Sequence, residues 1–150
     1  PDAVDLLVED HLAVHACFRK YEKLVEAKAD AAERKALADA VCRMLTVHTT
    51  LEEEIFYPAA RAAGIEEDLL AEAEVEHASA KQMIAEIRDG HPDDDRYDAK
   101  VIVLGEYVNH HVVEEHTEMM PKCRRSGMDL DALKTQLEER KAQLEAQAAP

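Results

Sequence analysis

His48-Thr-Thr-Leu-Glu52-Glu-Glu-Ile-Phe-Tyr-Pro58 and His111-Val-Val-Glu-Glu115-His-Thr-Glu-Met-Met-Pro121 share one frame. In both, Glu follows His by four residues and Pro follows it by ten. Residues i and i+4 stack on one face of an α-helix, with Cβ atoms roughly 5–6 Å apart, so each pair can serve one metal cluster. An imidazole offers a neutral nitrogen; a carboxylate offers charge and two oxygens able to bridge two ions. A Glu on an apolar stripe is costly to bury unless it is paired or metal-bound. The neighbouring Glu53, Glu54, Glu114 and Glu118 are expected at the solvated surface.

Working outward, His48 has Val41, Leu45 and Ile55 at −7, −3 and +7, and His111 has Leu104 and Val108 at −7 and −3. Two more histidines sit on stripes of the same kind. His11 has Val4, Val8 and Phe18 at −7, −3 and +7, and His77 has Leu70 and Ile84 at −7 and +7, with Glu74 at −3. A single histidine on such a stripe is ordinarily a core residue satisfied by one hydrogen bond. One in each of four helices argues instead for a shared site. Counting from the expected helix ends, His11, Glu52, His77 and Glu115 lie at similar depth and His48 and His111 one turn deeper. At about 1.5 Å per residue they occupy one slab of the fold.

The helices themselves follow from apolar periodicity and breakers. Segments run from about Asp2 to Ala29, Ala31 to Ala63 (before Gly64), Glu66 to Asp89 (before Gly90-His91-Pro92) and Arg96 to Arg125 (before Gly127). Pro58 and Pro121 fall inside two of them and are expected to kink the helix or begin its frayed end. Short connections predict antiparallel neighbours, so the expected fold is all-α: an up-down-up-down four-helix bundle over residues 1–127. A shorter amphipathic segment over residues 128–150, striped by Leu130, Leu133, Leu137 and Leu144, is expected to pack on the bundle or at an oligomer interface. Removing it before Asp129 should leave metal binding nearly intact.

Composition sets the outer bounds. The chain has 150 residues, long enough for a core without staples, and carries a formal net charge of −15. That charge disfavours nucleic acid and anionic membrane surfaces as partners. No apolar run approaches spanning length and the start lacks signal-peptide character, so the cytoplasm is expected. Three scattered cysteines, Cys17, Cys42 and Cys123, point to free thiols. An HExxH zinc motif is absent, as are a phosphate loop and a nucleophile–base pair. Only Glu74-Val-Glu-His77 has the Glu-x-x-His spacing of ferritin-like di-iron proteins.

The set Asp10-His11 with Phe18, His48 to Glu52, Glu76-His77 and His111 to Glu115 resembles the bacterial hemerythrin-like HHE cation-binding family over roughly residues 2–125. The resemblance implies two iron ions bridged by oxo or hydroxo, with His11, His48, His77 and His111 as terminal ligands and Glu52 and Glu115 as bridges. It also implies dioxygen, or a related small molecule such as NO, as the ligand, for binding, storage or sensing. The alternatives are an enzyme that breaks down peroxide or nitric oxide, or an iron- or oxygen-responsive regulatory module. No catalytic residue is assigned, and a monomer or homodimer is expected. One departure stands out: the family's hemerythrin members carry a second His four residues after the first on the third helix, where this chain has Lys81. Glu74 either fills that place, pairs with Lys81 or lies behind the ligands. His15, His110 and His116 are expected to face solvent and His91 to lie in a loop.

Overall fold

The computed structural model describes residues 1–148; the last two residues of the expected C-terminal segment lie outside the described residues. α1 spans Ala3–Glu26 and α2 Ala31–Leu51. A π-helical turn over Glu52–Phe56 then leads into α3, Tyr57–Ala62. α4 is Glu67–Asp89 and α5 Tyr97–Glu114, followed by a second π-helical turn, Glu115–Met119, and α6, Met120–Arg125. α7 runs over Leu130–Ala148. The described residues contain no strand.

Local chemistry sets several of these ends. Asp2 caps α1 in a reciprocal capping box: its carboxylate accepts from the Asp5 N–H at 3.0 Å, and the Asp5 carboxylate accepts from the Asp2 N–H at 2.8 Å. Arg124 of α6 donates to both carboxylates, tying the start of α1 to the end of α6. Asp30 caps α2. Past α3 the chain turns at Gly64, whose φ of +89° suits a residue without a Cβ.

Pro58 and Pro121 neither end their helices nor leave them frayed. Proline has no N–H and its ring crowds the carbonyl four residues back. Widening the preceding turn relieves that conflict: the Tyr57 and Met120 N–H groups reach back five residues, to the carbonyls of Glu52 and Glu115. The expected continuous helices over 31–63 and 96–125 are thus each interrupted by one wide turn at the motif's Glu.

α1 packs on α2 and α5, and α4 packs on the same two, so the four long helices close a ring; α7 lies across α1, α2 and the first π-helical turn. Two apolar clusters fill the interior. One includes Leu7, Leu51, Phe56, Tyr57, Leu70 and Met119. The other includes Val14, Phe18, Leu45, Ile84, Val101 and Leu104. Along every long helix the motif residues fall between the two: His11 between Leu7 and Val14, His48 between Leu45 and Leu51, His77 between Leu70 and Ile84, His111 between Leu104 and Met119. Gly105 permits the close approach of α1, because a Cβ there would stand 2.9 Å from the Phe18 ring. The three cysteines are free thiols, and among the described residues no helix is long and apolar enough to cross a membrane.

Candidate metal centre

The polar slab between the two clusters is built from all four long helices. His11, His48, His77, His111, Glu52 and Glu115 are each buried, with Glu52 at 0% and Glu115 at 2% relative exposure. Their ligating atoms fall into two groups within 4.8 Å, His11 with His48, Glu52 and Glu115, and Glu52 with His77 and His111; Glu52 belongs to both. The histidines meet through Nε2. His11 and His48 place these nitrogens 2.9 Å apart. His48 and His77 bring theirs to 3.2 and 3.1 Å from one oxygen of Glu52, and His11 and His111 theirs to 3.4 and 3.5 Å from the two oxygens of Glu115.

Each Nδ1 is held from behind. His48 donates to Asp10 at 3.0 Å, His77 to Glu53 at 2.8 Å and His111 to Glu76 at 2.8 Å. His11 meets Nε2 of His116 at 2.8 Å. A carboxylate behind an imidazole fixes its orientation and keeps the opposite nitrogen's lone pair pointed inward, the arrangement metal-binding histidines use. Two expectations are corrected here: Glu53 and His116 are half-buried partners of the core histidines, not solvated surface groups. His15, His91 and His110 are exposed, as expected.

Whether these residues suit a cation is decided by the acceptors. Both oxygens of Glu52 and Oε1 of Glu115 are buried without a hydrogen-bond partner. The imidazole nitrogens close to them face the carboxylates without being aligned as donors. Orphaned buried carboxylate oxygens are costly unless a positive charge stands among them. Four convergent imidazole nitrogens and two such carboxylates form a donor set that fits a transition-metal ion better than Ca²⁺ or Mg²⁺, which take oxygen ligands.

A family model described as the hemerythrin HHE cation binding domain matches residues 2–123. The chain belongs to that family. Membership implies metal-cation binding, and the buried His/Glu groups are the candidate ligands. A crystal structure of a hemerythrin HHE cation binding domain-containing protein from Mycobacterium kansasii has a similar fold, with a TM-score of 0.78 at 23% identity over 99% of this chain and 90% of that one. No curated protein matches significantly.

Electrostatics of the HHE domain follow the same geometry. Burial works against a charged His48, yet Glu52 and Asp10 outweigh it and push its pKa up to about 10. His111 is likewise opposed by burial and pushed up to about 10 by Glu115, Glu52 and Glu76. His77 is raised against burial by Glu52 and Glu53. Burial would raise Glu52, but His48 and His77 hold it well below the usual carboxylate range. Glu115 is also lowered, by His11 and His111, against burial and the repulsion of Glu52. The carboxylates thus favour protons on His48 and His111, and a cation entering the site must displace them.

Tyr57 had no role in the sequence reading. Its hydroxyl donates to Glu115 Oε2 at 2.6 Å and lies 3.3 Å from His77 Nε2 and 3.5 Å from His111 Nε2. Burial, then Glu52 and Glu115, raise its pKa well above the phenol range, so it stays protonated. Lys81 points away from the centre, half-exposed, with its ammonium 2.6 Å from Glu53. Glu74 takes none of the three expected places: it is exposed and pairs with Arg61 at 2.7 Å.

A cavity of about 410 Å³ lies away from the His/Glu cluster, between α1, α2 and α7, with Asp10, Val14, Met44 and Lys141 among its walls. Beside the cluster is a chamber of about 30 Å³, walled on its apolar side by Val14, Leu45, Ala80, Ile84 and Val108. The smaller space is the relevant one, because the convergent donors border it.

Proposed function

We propose that the six buried residues hold two iron ions, with Glu52 and Glu115 as bridging carboxylates, and that the site binds dioxygen or a related small diatomic for binding, storage or sensing. The observation that carries this reading is the membership of Glu52 in both donor groups. A carboxylate with two unpartnered oxygens between two sets of imidazoles is placed to serve two ions at once. Iron would supply reversible electron exchange with a small oxidant.

The residues of the chain set the rest. Six protein donors leave coordination positions open, which suits a site that takes an exogenous ligand. The chamber of about 30 Å³ has room for a ligand of about two heavy atoms, which suits a diatomic. Its aliphatic walls keep bulk water from the buried carboxylates. The topology best supported by the short connections and the closed ring of packing is the antiparallel up-down-up-down four-helix bundle, with residues 1–127 as the metal-binding domain and α7 added to it.

Anaerobic loading with ferrous iron, followed by visible spectra under argon, after air and after degassing, tests the reading. The expected result is about two irons per chain and a colour that appears in air and fades on degassing. Failure to retain iron would overturn it. Irreversible bleaching, with steady loss of added peroxide or NO, would support the second reading, an enzyme. Tyr57 favours that reading, because it sets a hydrogen-bond-donating hydroxyl beside Glu115 within reach of a bound small molecule.

A further inference from the structure

Three of the four core histidines are backed by a carboxylate, and two of those carboxylates are themselves gripped by a lysine. Lys81 grips Glu53 and is a neighbour on the ring itself. Lys141 grips Asp10 from α7, which begins at Leu130, past the family match that ends at residue 123. Its ammonium donates to Asp10 Oδ1 at 2.7 Å, while Asp10 Oδ2 accepts from His48 Nδ1 at 3.0 Å. Each oxygen of the carboxylate therefore has one partner. Leu133 and Leu137 of α7 are buried in the same cluster as Leu7 and Leu51, which fixes the helix above Asp10. One turn of α7 also carries Arg140, which makes two hydrogen bonds to exposed Glu54, at 2.8 and 3.2 Å.

We propose that Lys141 is a positioning residue of the metal centre: from the added helix it locks the Asp10 carboxylate in the rotamer that aims His48 Nε2 at the site. An aspartate with one free oxygen can turn about its χ2, a broad torsion with little intrinsic preference. Occupying Oδ1 with an ammonium removes that freedom and leaves Oδ2 facing the imidazole. The inference rests on the reading of His48 as a ligand, and it reverses the expectation that α7 is dispensable for metal binding.

The test uses the full chain and two neighbouring substitutions on α7. Lys141→Met keeps the aliphatic stem and loses the donor; Arg140→Met breaks the other ion pair of the same turn but does not touch Asp10. Removing direct outer partners of metal-bound histidines weakens binding by about 10- to 100-fold, so Lys141→Met, acting one bond further out, should speed iron loss to excess chelator by roughly 10-fold. Arg140→Met should leave that rate within about two-fold, as expected of an exposed pair. In metal-free protein, the His48 Nδ1–H resonance should exchange faster with solvent in Lys141→Met, and Lys141→Arg should restore it. Equal effects of the two Met variants on iron loss and on the ring N–H would overturn the proposal, showing that α7 is merely anchored. Should Lys141→Met not fold, Lys141→Leu, which also lacks a donor, replaces it under the same criteria. Wild-type chain that holds no iron would sink the reading of the site, while the ring N–H comparison would still decide whether Lys141 orients His48.

Discussion

Residues 3–62 and 67–125 are two versions of one arrangement. Each begins with a helix bearing an acid followed by histidine, Asp10-His11 in one and Glu76-His77 in the other. Each continues with a helix bearing His-x-x-x-Glu, a wide turn and proline. Asp10 holds His48 and Glu76 holds His111, within a half. The residue after each motif Glu crosses over: Glu53 holds His77, and His116 meets His11. The differences sit on this common frame. Tyr57 faces the centre where the other half has Met120, and Lys141 braces Asp10 while no lysine grips Glu76 among the described residues. The two halves share the geometry that gathers donors and differ in the hydroxyl that faces the centre and in bracing.

The sharpest way to break the comparison is at the shared carboxylate. Glu52→Ala should remove most of the metal, from about two ions per chain to below one, whereas Glu115→Ala should leave more behind. Metal analysis of both variants settles it, and equal loss would mean that the halves contribute alike. Next come the two acids behind the imidazoles. Asp10→Asn and Glu76→Gln should each weaken metal binding by about 10- to 100-fold, measured by chelator competition. A gap between them larger than the Lys141 effect would show that the frame is less symmetric than its distances.

Tyr57→Phe removes the donor from a buried carboxylate and should destabilise the metal-free protein by about 1–3 kcal/mol in urea denaturation. Met120→Leu, at the matching position, should cost less than about 1.5 kcal/mol. The protons of His48 and His111 give a pH signature. Their folded pKa values near 10, against an ordinary 6.5, mean that protonation stabilises the metal-free fold; this contribution is complete below pH 6.5 and is lost as pH rises toward 10. The lowered Glu52 and Glu115 act on the other side, stabilising above the ordinary 4.5 and failing as pH falls through their folded values. Denaturation midpoints of metal-free protein from pH 4 to 10 should therefore fall on the alkaline side, and a flat alkaline limb would contradict the charge balance described. The smallest effect is expected at Lys81→Met. Its partner is partly exposed and so is the lysine, so the change in stability should stay within about 0.5 kcal/mol.

Helical class and the burial of all six candidate ligands were legible because apolar spacing marks faces and histidine interrupts those faces. The partners behind the ligands were harder to read. Glu53 and His116 look like surface residues beside a motif, and only their equivalent position in the two repeats could have flagged them. Asp10 and Glu76 carried a readable signal, an acid before each first-helix histidine, but adjacency along a helix does not reveal that the acid serves a different helix. Lys81 stands one turn beyond His77 yet reaches outward to Glu53, because an ion pair with an outward carboxylate avoids burying an ammonium. Lys141 lies 131 residues from Asp10, and nothing local links them.

The wide turns have a consequence for phase. One extra residue in a helix rotates everything after it by about 100° relative to an uninterrupted path. An unbroken count puts Ile55 on the inward stripe, yet Ile55 is half-buried while Phe56 and Tyr57 are buried at 0% and 1% exposure. The proline thus acts as a local clock reset, and it is this reset that brings a phenol to the centre. Restoring ordinary winding at unchanged length, as Pro58→Ala would allow, would carry Tyr57 off the axis and leave Glu115 without its donor, although every residue identified as a candidate ligand would still be present.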